Sequence, residues 1–195
     1  MSLISKKIGQ IFSKFTFKEL IVRTCDEYFW WIFKSLPGFG GLYLRYFYVK
    51  CLAKKVDGFI AIQRGVNILS TFGLELGKNI IINRGCIIVA ESGIKIGDNT
   101  ALGTNVTLVA NSHDLITAGT KDYSQRSRKS PIIIGSRTIL CANVVVNAGV
   151  TVGDNVVISA NTAVSVDVPD NQIVSSQKMH TYTNVMRHNL RQFLQ

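Results

Sequence analysis

The chain has 195 residues, 47% of them hydrophobic, and carries 22 lysines and arginines against 12 acids, for a formal charge of +10. That length holds one domain with its own core plus an appendage, and the apolar content excludes a disordered chain. The basic balance favours anionic partners, while four scattered cysteines (Cys25, Cys51, Cys86 and Cys141) exclude a disulfide scaffold and read as thiols of a reducing compartment.

Residues 1–58 read as a helical leader, with helices expected over 3–15, 18–34 and 42–55 and a break at Leu36-Pro37-Gly38 and Gly40-Gly41. Ten basic residues stand there against four acids, which places +6 of the net charge in the leader. Aromatics such as Phe12, Phe17, Tyr28, Trp31, Tyr43 and Phe47 lie between them. Two readings fit: the aromatics pack over the end of the following domain or against a neighbouring subunit, or the leader lies on an anionic lipid surface. No nucleic-acid motif accompanies the charge, so nucleic acid is not an expected partner. The longest uncharged run near the N-terminus, 36–44, is far short of the ~20 residues that span a bilayer. With no recognisable signal peptide, the expected location is cytoplasmic, with peripheral contact at the inner face of the membrane as the alternative.

A six-residue period follows. Branched aliphatics recur at Leu76, Ile82 and Ile88, then, after two extra residues near Glu91, at Ile96, Leu102 and Leu108. They resume at Ile134, Leu140, Val146, Val152, Ile158 and Val164. This is neither a helix period nor a hairpin alternation. It suits a coil of short strands, one side chain per strand facing a narrow interior. Ile96-Gly97-Asp98-Asn99 repeats almost verbatim at Val152-Gly153-Asp154-Asn155, and Gly, Asp and Asn are corner residues that accept positive φ or bond the turn backbone. The expected fold is mainly β: a parallel β-helix over 59–174, three sixes to a triangular turn, capped by the leader and by a tail or short helix over 175–195.

The period breaks over 113–131, a polar, basic loop. A long loop inside a regular coil points to function. It opens at His113, the only histidine of the repeat region, at a coil–loop junction and so a candidate general base. The other two histidines, His180 and His188, lie beyond the coil. A zinc site built from three histidines is therefore not expected, and no metal is predicted.

The stretch IGDNTALGTNVTLVANSHD, the loop, and PIIIGSRTILCANVVVNAGVTVGDNVVISANTAVSVDVPDNQIV together resemble the left-handed β-helix, hexapeptide-repeat acyltransferases, over about residues 60–176. Within that family the pattern is similar to the O-acetyltransferase branch, which includes galactoside and maltose acetyltransferases. SLPGFGGLYLRYFYVK is more loosely similar to the leader of bacterial capsule, O-antigen and exopolysaccharide O-acetyltransferases. The resemblance implies a homotrimer with active sites between subunits, acetyl-CoA as co-substrate, and acetyl transfer to a sugar hydroxyl of a surface polysaccharide or its precursor. It implies His113 as base, with Asp114, Asp122 or a main-chain carbonyl orienting it, Asn83 near the reacting groups, and Glu91 holding acceptor hydroxyls. Ala142 and Ala160 would line the CoA arm, with a main-chain amide near Ala142 as oxyanion donor. Ser165 matches a usual threonine.

Three departures from the family pattern stand out. Val166 replaces a usual phosphate-binding lysine, Ile139 a usual tryptophan, and Ser176-Gln177-Lys178-Met179-His180 a usual Gly-Val-Pro-Ala-Lys. Lys178, His180 or Arg187 would then supply the missing charge. The alternatives are an acetyltransferase for a small free acceptor (sugar, nucleotide-sugar or antibiotic) and a non-catalytic β-helix scaffold.

Overall fold

Aliphatics at every sixth position bury one side of each short strand only if the chain turns after every strand. The computed structural model, which describes residues 16–113, 127–175 and 179–181, shows a three-sided parallel coil of about five turns. Face one stacks β1 (Lys55–Val56), β4 (Leu74–Leu76), β7 (Ile94–Ile96), β12 (Ile132–Ile134) and β15 (Thr151–Val152). Face two stacks β2 (Ile60–Ile62), β5 (Ile80–Ile82), β8 (Ala101–Leu102), β13 (Ile139–Leu140), β16 (Val157–Ile158) and β18 (Gln172–Val174). Face three stacks β3 (Asn67–Leu69), β6 (Ile87–Val89), β9 (Thr107–Val109), β14 (Val145–Val146) and β17 (Ala163–Val164). The hexad residues fill the interior: Leu76, Ile82, Ile88, Ile96, Leu102, Leu108, Leu140 and Ile158 are buried. Cys86 joins them, its Sγ donating to Gly103 O at 3.1 Å, and burial pushes its thiol up to about 11, which leaves it an unreactive core residue.

The coil begins before the hexad is legible, because its first turns have a longer period. Ile62 pairs with Ile82 and Ile82 with Leu102, twenty residues apart each time, whereas Leu140 pairs with Ile158, eighteen on. The extra residues collect at one edge, between faces three and one, as the 3-10 turn Thr71–Gly73 and the segment 90–93.

The corners divide their chemistry differently from the sequence expectation. The left-handed conformation falls to Asn99, Asn105, Asn143, Asn155 and Asn161, with φ between 54 and 59°. Gly97 and Gly153 do not have positive φ; they are required because the next turn leaves no room for a Cβ. The aspartates bond the adjacent turn rather than their own: Lys78 N–H donates to Asp98 Oδ1 at 3.0 Å and Ser136 N–H to Asp154 Oδ1 at 2.8 Å.

Two helices close the first end. The first, α1 (Phe17–Phe33), starts at a Thr16/Glu19 capping box, which satisfies free N–H groups of its first turn. The second, α2 (Gly38–Leu52), starts at Pro37 and runs through Gly40 and Gly41 instead of starting at 42. Gly41 permits this, because a Cβ there would collide with the Leu36 carbonyl. Trp30 Nε1 donates to Val66 O at 3.0 Å, and buried Arg45 donates through Nε to Ile62 O at 2.7 Å and through Nη1 to Leu36 O at 2.7 Å. Buried Asp26 accepts from Tyr48 Oη (3.0 Å), Thr71 N (2.8 Å) and Thr71 Oγ1 (2.6 Å), so one carboxyl group ties both helices to the coil.

The helix expected over 3–15 lies outside the described residues, as does most of 175–195. The described part of that tail includes a strand, β19 (Met179–Thr181), antiparallel to β18.

Candidate active site

The loop expected over 113–131 is rooted as an antiparallel hairpin, β10 (Asn111–His113) on β11 (Ser127–Lys129), with His113 opposite Ser127. It leaves the coil at the edge between faces three and one, where the earlier turns already carry their extra residues. Main-chain bonds clamp its exit: Ile132 N–H to Gly93 O and Gly149 N–H to Ser130 O, both 3.1 Å. Side chains clamp its entry. Ser92 Oγ donates to Asn111 Oδ1 at 3.3 Å, and Asn111 Nδ2 donates to Glu91 Oε2 at 3.0 Å. Glu91 Oε1 in turn lies 3.7 Å from Arg23 Nη1 of α1. Glu91 is one turn of the coil away from His113 in sequence, yet it braces the strand that ends there.

Glu91 also lines two adjoining hollows. One, of about 460 Å3, includes Phe72, Glu75, Lys95 and Pro131. The other, of about 380 Å3, lies against α1 with Arg23, Glu27 and Ser70. Carboxylates, a lysine and an aromatic ring in one open cleft are groups that hydrogen-bond and stack on a polyhydroxylated ligand. Among the described residues, no three histidine, cysteine, aspartate or glutamate side chains come together to hold a metal ion.

The other sequence candidates fall on two edges. Asn83 stands on the edge between faces two and three, with its N–H on Leu102 O at 3.0 Å and its Nδ2 donating to the same oxygen at 2.8 Å. On that edge the chain stacks Arg84, Thr104, Ala142 and Ala160: Asn105 N–H bonds Arg84 O, Asn143 N–H bonds Thr104 O and Asn161 N–H bonds Ala142 O. The structure therefore brings Asn83 into line with Ala142 and Ala160, and places all three on a different edge from Glu91 and His113. Ser165 and Val166 follow β17 on the hairpin's own edge, both exposed. The main chain of His180 pairs with Ile173 in β18. Asp114, Asp122, Lys178 and Arg187 lie outside the described residues.

Sequence reading missed Arg23 and Asn111. Arg23 is one of ten leader cations, and only helix docking singles it out. Asn111 had a signal, its place two residues ahead of the histidine in Asn-Ser-His.

A comparison with curated proteins finds no match in sequence. A family model, the hexapeptide repeat of succinyl-transferase, matches residues 131–165. Among solved structures, a galactoside acetyltransferase in complex with coenzyme A superposes with a TM-score of 0.72 at 25% identity, over 85% of this chain and 81% of that one. A maltose O-acetyltransferase from Clostridium difficile 630 gives 0.69 at 23% identity, over 85% and 87%. A hexapeptide-repeat-containing acetyltransferase from Vibrio cholerae gives 0.71 at 22% identity, over 82% and 88%. The coil is thus a left-handed parallel β-helix of hexapeptide repeats. Over residues 131–165 the chain carries the hexapeptide repeat, and its fold is similar to that of these acetyltransferases.

Proposed function

We propose that this protein is an acetyl-CoA-dependent O-acetyltransferase acting on a sugar hydroxyl of a bacterial surface polysaccharide or its precursor. The observation that carries the reading is the hairpin: where the coil is interrupted, the chain builds a braced support that ends at His113. Acetyl-CoA follows from the likeness to a galactoside acetyltransferase that binds coenzyme A. The stack Thr104–Ala142–Ala160 offers small side chains over the later turns of that edge, beyond Arg84, which suits a long, thin pantetheine arm.

Because Asn83 and that stack lie on one edge and His113 on another, a complete site needs two copies. A homotrimer meets this by setting one subunit's Asn83 edge against the next subunit's hairpin. Aliphatics that flank the Asn83 edge support it: Ile81 and Ile139 on face two, and Ile87 and Val145 on face three, all point outward and are exposed.

In the reaction, neutral His113 takes the proton of a sugar hydroxyl held by Glu91. The hydroxyl oxygen bonds the acetyl carbonyl carbon, whose oxygen is met by the amide near Ala142. The C–S bond breaks, CoA leaves as its thiolate, and the imidazolium returns the proton to sulfur. Asp114 would hold the other ring nitrogen, and Lys178 or His180 would serve the nucleotide phosphates in place of a lysine at Val166.

The test is acetyl transfer from acetyl-CoA to lipid-linked and free sugars by wild type and His113→Ala, with mass measured in solution. The expected result is a trimer in both, and a loss of about 10²–10⁴-fold in turnover in the variant. Undiminished turnover in His113→Ala refutes the mechanism. Turnover on free sugars alone assigns the acceptor to the small-molecule class.

A further inference from the structure

A helix docked on a core turns its apolar side inward and its charged side to water. Here α1 presents apolar residues on two opposite sides. Val22, Asp26 and Trp30, four apart, face the coil and are buried. On the far side, Phe17, Ile21, Tyr28 and Trp31 follow at spacings of four, seven and three, so they share one stripe. In α2, Gly41, Arg45, Tyr48 and Val49 are buried, while Phe39, Tyr43 and Phe47, four apart, face away. Phe17, Tyr28, Trp31, Phe39, Tyr43 and Phe47 are each 62–84% exposed. Among the described residues, Tyr43 is the only one of these six whose ring meets another, that of Phe59 at 6.0 Å.

We propose that the outward stripes of α1 and α2 are a docking surface for an anionic lipid bilayer. Charge selects this occupant. Over residues 16–58, with Arg45 and Asp26 buried, six cations stand against three acids, so a second copy of the same surface is repelled and an anionic headgroup layer is attracted. Aromatic composition agrees, since Trp and Tyr rings are at home where an apolar phase meets water. Among the described residues no helix is long and apolar enough to cross a membrane, so these helices lie on the surface rather than span it. Lys50, exposed on α2 with its ammonium 5.5 Å from the Tyr46 ring centroid, is placed to meet the headgroups.

The inference deepens the functional reading and rests on it in one respect. Arg23 of α1 meets Glu91 at the hairpin root, so docking would present the cleft to an acceptor held at the bilayer. The experiment floats the full-length protein on phosphatidylcholine vesicles with and without phosphatidylglycerol, at low and high salt. Wild type is expected to float with the anionic vesicles only, and less at high salt. Trp31→Ser combined with Phe47→Ser is expected to lose at least about tenfold in bound fraction, and Lys50→Glu severalfold. Oligomeric state and acetyl transfer to a soluble acceptor should be unchanged in both. Wild type that stays with neither vesicle, or aromatic variants that float as well as wild type, overturn the proposal. A change of oligomeric state in the aromatic variant overturns it too, and makes the surface an interface between copies. Absence of acetyl transfer by wild type would sink the catalytic reading while leaving the flotation result to stand.

Discussion

Gly103 offers a test of how tightly the coil holds the candidate site. It sits on the Asn83 edge, and its N–H donates to Leu140 O at 2.7 Å. A Cβ there would lie 2.7 Å from Cys141 C, 2.8 Å from Ala142 N and 2.8 Å from Leu140 O. All three are main-chain atoms, which have no rotamer by which to yield. Comfortable carbon contacts begin at about 3.5 Å, so Gly103→Ala must lift the next turn by about 0.7 Å. The hydrogen bond to Leu140 then stretches to about 3.4 Å, beyond the useful range. Overpacking of about 1–3 kcal/mol and a lost bond of about 1 kcal/mol give about 2–4 kcal/mol in all. For a chain of this size that lowers Tm by about 4–16 °C. If Ala142 helps to hold the thioester, its displacement should also cut kcat/KM by up to about 10²-fold. Gly40→Ala is the control: it lies inside α2 with nothing within 4 Å of its Cβ, and should be neutral or stabilising by up to about 1 kcal/mol. Thermal denaturation and acetyl transfer read both variants side by side. A Gly103→Ala protein that melts with wild type would refute the close-stacking argument.

Two further outcomes are expected. Burial raises the Asp26 carboxyl above its usual value, outweighing the hydrogen bonds from Thr71 and Tyr48 that lower it. A raised folded-state value means that this group's stabilisation is full below about pH 4 and fades as pH rises through the folded value. The stability difference between wild type and Asp26→Asn, measured by urea unfolding, should therefore move against wild type as pH rises from about 4; a flat or opposite trend refutes the assignment. The second outcome compares two interior threonines. Thr138 Oγ1 donates to Gly153 O at 2.9 Å and accepts from Val156 N at 3.2 Å, whereas Thr162 Oγ1 is buried with no partner among the described residues. Thr138→Val should cost about 1–3 kcal/mol and Thr162→Val about nothing, or even stabilise. Equal losses in thermal unfolding would overturn that contrast.

Much of the fold was legible because a coil's contacts are nearly local. Leu140, Val146 and Val152 each end one side of the triangle, and each side also buries a second residue two places earlier (Thr138, Val144 and Val150) where the sequence reading expected one, so a period of six appears in the sequence itself. The first turns were less legible for the same reason reversed: the edge that later bears the hairpin adds residues at 70–73 and 90–93, and the period lengthens to twenty. His113 could be singled out as the histidine at the break in the period. That Asn83 shares an edge with Ala142 and Ala160, and not with His113, could not, since a spacing of six says nothing of which corner is which until the turns are stacked.

By itself, then, the order of the residues determined the coil, its interruption and the titratable group at the interruption, because each depends on neighbours within one or two turns. Tertiary structure alone decided that Arg23, Glu91 and Asn111 form one chain of contacts to the hairpin, and that the leader's aromatics divide between a buried side and an outward one. Those facts depend on how helices and coil dock, and docking joins residues tens of positions apart through contacts that no local period records.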